Sequence, residues 1–214
     1  MESFDLIADD YDRWYDTPEG KSIFREEVDC LRLVSRGCTG RWLEVGVGTG
    51  RFASALGVPE GIDPSPAMLE IAARRGIETK RGSAESMPYP DESFDGVLIV
   101  LVLCFLKNPL QALKECRRVL RPGGRLLLGA IPAESPWGKL YTQEGKAGHP
   151  VYSQARFRTI EETMEFSKIA GFELEDAAGA LFWSPESEGG GHDGAKRGIS
   201  QDAGFLGLLY KIVD

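Results

Sequence analysis

Residues 43–50, Leu-Glu-Val-Gly-Val-Gly-Thr-Gly, constrain the fold of this 214-residue chain more than any other segment. An apolar run typical of a buried strand leads into three alternating glycines, Gly46, Gly48 and Gly50, and then into a helical pattern. Glycine permits a tight turn and lets the backbone approach a ligand where a Cβ atom would collide. The free amides at the start of the helix behind it favour an anion. We therefore expect a strand–loop–helix unit that binds a charged ligand.

The rest of the chain alternates short apolar strands with amphipathic helices, the pattern of a parallel sheet covered on both faces. We predict an α/β fold: a three-layer sandwich around a seven-stranded, mostly parallel sheet with an antiparallel C-terminal strand. Predicted strands cover residues 41–46, 77–81, 94–101, 125–129, 172–175 and 205–213, and a further short strand ends at Asp63. Predicted helices cover residues 18–35, 50–56, 66–75, 109–120 and 160–171.

Composition narrows the class of protein. With 25 basic and 33 acidic residues the net charge is −8, which disfavours non-specific binding to nucleic acid. The longest apolar run, residues 97–106, is too short for a membrane span, which needs roughly 18 residues. The first five residues lack the pattern of a secretory signal, so we expect a cytoplasmic protein. The four cysteines fit no metal-binding spacing, so we expect reduced thiols and no metal site.

Asp63 ends the predicted second strand, 17 positions after Gly46. In an open α/β sheet this position lies beside the glycine loop, in the crevice where ligands bind, and a carboxylate there can accept hydrogen bonds from both hydroxyls of a ribose. The dinucleotide fingerprint G-x-G-x-x-G would require glycine at position 51, where Arg51 stands. The observed G-x-G-x-G suits S-adenosylmethionine, whose anionic end is a single carboxylate. The simplest alternative is a glycine-rich turn that binds no ligand.

Further segments occur at matching intervals, and the set resembles the class I S-adenosylmethionine-dependent methyltransferases. More narrowly, it is similar to the small type 11 group, relatives of the ubiquinone/menaquinone methyltransferases. The resemblance spans about residues 40–130 and implies a Rossmann-like fold with S-adenosylmethionine as cofactor. Its motifs are residues 43–50, Gly-Ile-Asp-Pro-Ser at 61–65, Gly-Ser-Ala-Glu-Ser-Met-Pro-Tyr at 82–89, Ser-Phe-Asp at 93–95 and Val-Leu-Arg-Pro-Gly-Gly at 119–124.

The resemblance implies roles for individual residues. The three glycines would line the methionine end of the cofactor, Asp63 would hold the ribose, and Val100 would close the floor of the pocket. Glu44 would either order the loop, the role we favour, or contact the amino group of the cofactor. The adenine would be flanked by Ser83, Ala84 and Glu85, and the cofactor-binding set is completed by Tyr11 in an N-terminal lid, Pro64 and Met68.

Two departures from the family pattern stand out. Ser83 replaces an aspartate that is frequent in the family, so a contact with the adenine amino group would be weaker or absent. Many relatives carry a pair of histidines after the fourth strand, where this chain has Cys104 and Phe105. This replacement removes a candidate base and favours a hydrophobic substrate wall, although core packing is the simpler role for Cys104.

Methyl transfer from a sulfonium is an in-line displacement that expels a neutral thioether, so positioning rather than acid catalysis is the main requirement. We accordingly assign no catalytic residue from the sequence and expect a small-molecule acceptor, with no nucleic-acid partner. Several residues are candidates for the acceptor side, although each could instead serve only in packing. They are Tyr11, Trp14 and Tyr15 in the N-terminal segment, and Glu134, Trp137, Tyr141, His149 and Tyr152 after the fifth strand. For His149, a plain surface position is favoured over a role as base.

Two other functions stay open at this stage. One is a non-catalytic protein that binds or senses S-adenosylmethionine; the other, disfavoured by Arg51, is an NAD-dependent oxidoreductase. We expect one domain over residues 1–214, with an N-terminal lid and helix (1–36), a cofactor-binding core (40–130), a substrate-side connection (131–158) and a C-terminal helix and hairpin (159–214). Residues 184–204, which include six glycines and His192, are expected to form a mobile hairpin loop.

Overall fold

A central sheet of eight strands organises the chain in a computed structural model, which describes residues 2–187 and 193–213. The strands are β1 (Trp42–Val45), β2 (Glu60–Asp63), β3 (Glu78–Arg81), β4 (Phe94–Val100), β5 (Leu120–Ala130), β6 (Phe172–Ala180), β7 (Lys196–Arg197) and β8 (Phe205–Ile212). The predicted mostly parallel α/β sheet is confirmed, but the predicted count of seven strands is one short. The additional strand is β7, which lies inside the expected hairpin loop and pairs with the end of β6. His192 lies outside the described residues.

The strand order β3-β2-β1-β4-β5-β8-β6-β7 places the candidate site. Strands β1 to β5 are parallel, and β8 enters antiparallel between β5 and β6. Strand β1 pairs with both β2 and β4, so the direction of winding reverses beside it. At such a switch point the loops leave the carboxyl ends of the strands in opposite directions and open a crevice. The glycine loop, defined as residues 46–50, follows β1 into this crevice.

Within the residues that the structure describes, the sheet is covered by seven α-helices: α1 (Glu2–Trp14), α2 (Pro18–Val34), α3 (Arg51–Leu56), α4 (Pro66–Arg74), α5 (Pro109–Val119), α6 (Pro136–Lys146) and α7 (Ile160–Ile169). Four of them, α2, α4, α5 and α6, begin with a capping side chain followed by proline at the first helical position. The capping box predicted at Thr159 is present, with Glu162 bonding back to it. None of the helices within the described residues is long and apolar enough to cross a membrane.

Apolar side chains fill both faces of the sheet, as a three-layer sandwich requires. On one face Leu31 of α2 belongs to the same apolar cluster as Leu98 and Leu127. On the other face Leu113 of α5 belongs to the cluster that contains Ile99. The sheet interior is therefore apolar on both sides, as expected for buried parallel strands.

Besides β7, three elements differ from the prediction. Helices α1 and α6 lie in the predicted N-terminal lid and substrate-side connection, two segments for which no helix was predicted. Strand β5 begins at Leu120, which pairs with Phe94, and the turn residues 121–124 form an irregularity before pairing resumes at Arg125. In α1, Ala8 packs against Met68 and helix α4, a tertiary contact that no local pattern announces.

Candidate cofactor and acceptor site

The glycine loop has a backbone that L side chains rarely adopt, with φ values of +72° at Gly46, +49° at Gly48 and +79° at Gly50. A Cβ atom at Gly46 would lie 2.4 Å from the side chain of Val102, and one at Gly50 would lie 3.0 Å from the Cβ of Ala72. At Gly48, in contrast, an added Cβ would meet nothing within 4 Å. Two glycines are therefore required by packing, while the third borders open space.

Asp63 lies at the carboxyl end of β2 and is bonded directly to the glycine loop. One carboxylate oxygen, Oδ2, accepts the Gly48 amide at 3.0 Å, and Oδ1 accepts the Ser65 amide at 2.9 Å. Burial raises the pKa of Asp63, and these two amide hydrogen bonds act in the opposite direction. The structure thus brings the two predicted halves of the site together at the switch point of the sheet.

Glu44 precedes the loop on β1 and is almost fully buried, with 2% of its surface exposed. Its carboxylate accepts the amide of Ala53, which lies in the first turn of α3, so it orders the helix behind the glycines. The Oε2 atom of this buried carboxylate has no hydrogen-bond partner among the described residues. Burial raises the pKa of Glu44 well above its usual range, and the nearby charge of Asp63 adds to this effect.

The residues expected near an adenine form a local turn after β3. Ser83 donates its hydroxyl hydrogen bond to Glu85 Oε2 at 2.6 Å and accepts the Glu85 amide at 3.2 Å, while Ala84 is buried. The serine that replaces the family's frequent aspartate is thus engaged with Glu85, which leaves the Glu85 carboxylate as the acidic group of this turn.

Helix α1 is held over the crevice by polar contacts at both of its ends. Near its start, Asp5 accepts the Ser65 hydroxyl at 2.6 Å. Near its end, Asp12 accepts Arg51 at 2.8 Å and Arg75 at 2.7 Å. Arg51, which stands where a dinucleotide fingerprint would have its third glycine, therefore anchors the N-terminal helix.

Apolar contacts continue the same cover. Phe4 packs edge-to-face on Phe105 at 5.2 Å, which links α1 to the turn after β4. Tyr11 and Met68, both predicted to belong to the site, lie in one apolar cluster with Ala8. Helix α1 thus reaches from α4 to the end of β4, as a lid over the crevice would.

Four aromatic residues, Trp137, Tyr141, Tyr152 and Trp183, form what we call the aromatic cluster beyond the ends of β4 and β5. The Trp137 and Trp183 rings are 4.8 Å apart, and the Tyr141 and Tyr152 rings stack at 4.3 Å. Trp137 also donates its indole hydrogen bond to the carbonyl oxygen of Trp183 at 3.1 Å. Three members of the predicted acceptor-side set are therefore adjacent, joined by a tryptophan that follows β6.

The two remaining predicted residues after the fifth strand are Glu134 and His149. Glu134 accepts the amide of Ile160 at 3.0 Å and so caps α7. His149 is exposed, as favoured, but it borders the aromatic cluster: its ring stacks on that of Tyr152 at 4.5 Å, and its Nδ1 accepts the amides of Val151 and Tyr152. Cys104 lines a small cavity with Phe157 at the carboxyl edge, and Val100 is buried at the end of β4.

Sequence reasoning missed Glu27 on α2. Only 2% of this residue is exposed, and its Oε2 atom has no hydrogen-bond partner in the described part of the chain. A signal was available, because Glu27 is spaced four residues from both Ile23 and Leu31 and therefore falls on the apolar stripe of the helix. A charge inside such a stripe indicates a buried ionisable group.

A glycine loop at the switch point of a parallel sheet, bonded to an acid at the end of the neighbouring strand, defines a Rossmann-like protein of the nucleoside-cofactor-binding class. Residues 43–128 match the family model described as "Methyltransferase domain". A crystal structure from Thermotoga maritima, described as a SAM-dependent methyltransferase and possible histamine N-methyltransferase, is 32% identical with a TM-score of 0.88. The structural match covers 100% of this chain and 99% of the Thermotoga maritima chain.

Two sequence relatives agree with this likeness. An uncharacterized protein of Methanocaldococcus jannaschii is 39% identical over 85% of this chain and 86% of its own length. A demethylmenaquinone methyltransferase of Staphylococcus epidermidis is 30% identical over 81% of this chain and 77% of its own. The chain belongs to the S-adenosylmethionine-dependent methyltransferases, and its cofactor is S-adenosylmethionine.

Proposed function

We propose that the chain transfers the methyl group of S-adenosylmethionine to a small-molecule acceptor, with the cofactor between the glycine loop and Asp63. The observation that carries this placement is the hydrogen bond from the Gly48 amide to Asp63. The backbone at Gly48 borders open space, and the buried Oε2 of Glu44 complements the ammonium group of an amino-acid tail. Each Asp63 oxygen retains a lone pair for a ribose hydroxyl. These residues fit the cofactor of the family.

The same placement assigns the remaining predicted residues. The methionine end would lie on the three glycines, the adenine beside Ala84 and Glu85, and Val100 beneath. Tyr11 on α1 and Met68 on α4, which share an apolar cluster, would exclude water from the crevice. Pro64 and Ser83 complete the set as residues of the turns after β2 and β3.

When bound, the cofactor supplies an electrophilic methyl group on a sulfonium whose departure as a thioether needs no acid. What the chain must do is hold the acceptor atom in line in a dry pocket, and such positioning contributes about 7–11 kcal/mol to lowering a barrier. Helix α1 covers the crevice on one side, and the aromatic cluster supplies rigid walls on the other.

A small acceptor is favoured over a macromolecule by charge and by shape. The chain carries a net charge of −8, which opposes binding to nucleic acid. Trp137 and Tyr141 are buried, with 1% and 7% of their surfaces exposed, so an acceptor that reaches them must be compact. The Thermotoga maritima protein is described as a possible histamine N-methyltransferase, and a compact acceptor of that size suits such walls.

Two measurements test the proposal. Calorimetric titration with S-adenosylhomocysteine should show saturable binding to one site, and folded protein that fails to bind it would contradict the cofactor placement. Incubation with methyl-labelled S-adenosylmethionine and a fractionated cell extract should then label the low-molecular-weight fraction. Label in protein or nucleic acid would contradict a small acceptor. Absence of label in every fraction, with binding intact, would favour the non-catalytic alternative.

A further inference from the structure

Glu27 stands out because it is a buried acid in an aromatic part of the interior: Ile23 and Leu31, which flank it on the same stripe of α2, belong to one cluster with Trp137, Tyr141 and Trp183. Besides their burial, the charge on Glu27 raises the pKa of four tyrosine hydroxyls: Tyr11, Tyr15, Tyr141 and Tyr152. These residues come from α1, the turn that follows it, α6 and the 3₁₀ turn Tyr152–Gln154. Elements far apart in the sequence therefore converge on one acid.

The surroundings of Glu27 are aromatic as well as acidic. The Tyr11 and Tyr15 hydroxyls lie 3.0 Å apart, and the Tyr141 and Tyr152 rings stack at 4.3 Å. Trp183, another member of the aromatic cluster, has a buried indole nitrogen without a hydrogen-bond partner in the described residues. Aromatic faces beside a desolvated carboxylate are the combination that recognises an organic ammonium group.

Tyr11 connects this acid to the cofactor crevice. Its hydroxyl lies 3.0 Å from that of Tyr15, and its ring packs in one apolar cluster with Met68, which is predicted to belong to the cofactor site. A group bound at Glu27 would thus lie on the acceptor side of the crevice, within the reach of one tyrosine from the predicted cofactor site.

A buried carboxylate with one oxygen left without a partner is costly, because burial removes the water that stabilises its charge. Burial and the neighbouring Glu26 raise the pKa of Glu27 to about 8, and no basic group among the described residues offsets them. The other titratable groups facing Glu27 are the four tyrosines and Cys30 on its own helix. A cationic ligand would supply the missing partner.

We propose that Glu27 and the tyrosines around it bind the ammonium group of a small amine, and that Glu27 accepts the proton which this nitrogen must lose to become the methyl acceptor. The proposal rests on the proposed function and names the class of its substrate. The proton passes from nitrogen to the Glu27 carboxylate, which frees the nitrogen lone pair. That pair forms the new N–C bond as the S–C bond breaks, and the electrons of the broken bond stay on sulfur.

The high pKa of Glu27 suits this role. An alkylammonium group resembles the lysine side chain, with a pKa of about 10.4, so an ordinary glutamate would be a poor match as its base. With Glu27 near 8, the two pKa values differ by about 2 instead of about 6, and a larger fraction of the bound pair exists as neutral amine and carboxylic acid. Matching of this kind is what favours general-base catalysis.

The first test uses wild-type protein saturated with S-adenosylhomocysteine. Histamine and 2-phenylethylamine are titrated calorimetrically beside 2-phenylethanol, the neutral isostere of the second amine. We expect at least one amine to bind and the alcohol to bind about tenfold or more weakly. Equal binding of amine and alcohol, or failure of both amines to bind while S-adenosylhomocysteine binds normally, would overturn the proposal. Failure of S-adenosylhomocysteine itself would instead contradict the proposed function.

The second test compares Glu27→Gln with Glu26→Gln, its neighbour on the same helix. Glu26 accepts the Leu181 amide, a bond that glutamine can keep through its carbonyl oxygen. Glu27→Gln should weaken amine binding about tenfold and leave S-adenosylhomocysteine binding unchanged, whereas Glu26→Gln should retain amine binding. A Glu27→Gln variant that binds the amine as wild type does would overturn the proposal.

The pH dependence of methyl transfer to the amine gives a readout that a merely structural role would not move. The kcat/KM of wild type should rise with pH through a limb near 8, where Glu27 loses its proton. Glu26→Gln removes a neighbouring negative charge and should move this limb to lower pH. The same limb in Glu27→Gln and wild type would show that another group is the base and would overturn the assignment.

Discussion

At the scale of single residues, the site depends on which atoms lack a partner and which do not. Asp63 is shared between the Gly48 and Ser65 amides, so it positions the glycine loop as well as facing the crevice. Glu44 and Glu27 each bury an oxygen that no described residue bonds. Buried acids left in this way are costly to a fold unless a ligand completes them.

Replacing Asp63 tests the ribose contact. Asp63→Ala should weaken S-adenosylhomocysteine binding by about 2–4 kcal/mol, because two hydrogen bonds to a carboxylate are lost. Asp95→Ala is the matched control, since Asp95 also accepts a backbone amide, that of Arg41, but at the opposite edge of the sheet. Calorimetry should show normal affinity for the control. Unchanged affinity in Asp63→Ala would mean that the ribose lies elsewhere.

Alanine substitutions at Gly48 and Gly57 distinguish the cost of backbone strain from the loss of space for the cofactor. Gly48 and Gly57 both have positive φ, +49° and +72°, and a Cβ on either would meet nothing within 4 Å. Alanine at each position should cost about 1 kcal/mol in the free energy of unfolding. Only Gly48→Ala should also reduce affinity for S-adenosylhomocysteine, about tenfold or more, because its methyl group enters the crevice. Equal affinities in the two variants would refute the close approach of the cofactor to Gly48.

At the scale of elements, local rules succeeded where the signal is local. The helix starts at Pro18, Pro66 and Ile160 follow from capping side chains and prolines that act within one turn. Helix α1 was missed although its apolar residues recur with helical spacing, and it docks on α4 through Ala8. For α6, the cap at Ser135 was present but was overlooked within a proline-rich stretch.

The ion pairs of Asp12 predict how α1 responds to acid. Burial alone would raise the pKa of Asp12, but the hydrogen bonds from Arg51 and Arg75 outweigh it and lower the pKa from 3.8 to about 2. A depressed pKa stabilises the fold above pH 4, and this contribution, about 1–2 kcal/mol, is lost as the pH falls toward 2.

Urea denaturation can isolate this contribution. Asp12→Asn should be about 1–2 kcal/mol less stable than wild type at pH 7, and the difference should shrink near pH 2. Asp10→Asn is the control on the same helix, because the Asp10 pair with Arg13 is exposed to solvent. A pH-independent difference for Asp12→Asn would show that the two arginines are not what holds the helix.

At the scale of the whole molecule, one continuous sheet connects the cofactor half to the acceptor half. Strands β1, β2, β4 and β5 run parallel, so the loops that follow them, which carry both halves, leave the same edge. We propose that residues 1–214 act as a single domain, as the sequence pattern predicts. The lid helix, the core and the C-terminal hairpin would then unfold together.

Thermal unfolding tests this unity. We expect one cooperative transition, with the same midpoint by circular dichroism and by tryptophan fluorescence. S-adenosylhomocysteine at about 100 times its Kd should add about 2.7 kcal/mol, which raises the Tm of a chain of this length by roughly 5–10 °C. Two transitions, of which only one moves with ligand, would show that the halves are separate folding units.

The sequence by itself determined the strand–loop–helix unit, the parallel sheet and the family, because glycines, capping residues and apolar periodicity act over a few neighbouring positions. Only the tertiary structure decided the acceptor side. Glu27 and Tyr152 are 125 positions apart in the chain, and the charge of the first raises the pKa of the second without leaving a mark on either local pattern. The pKa of an acid depends on its burial and on the charges around it. Both are set by the tertiary structure, so the local sequence of a helix does not predict them.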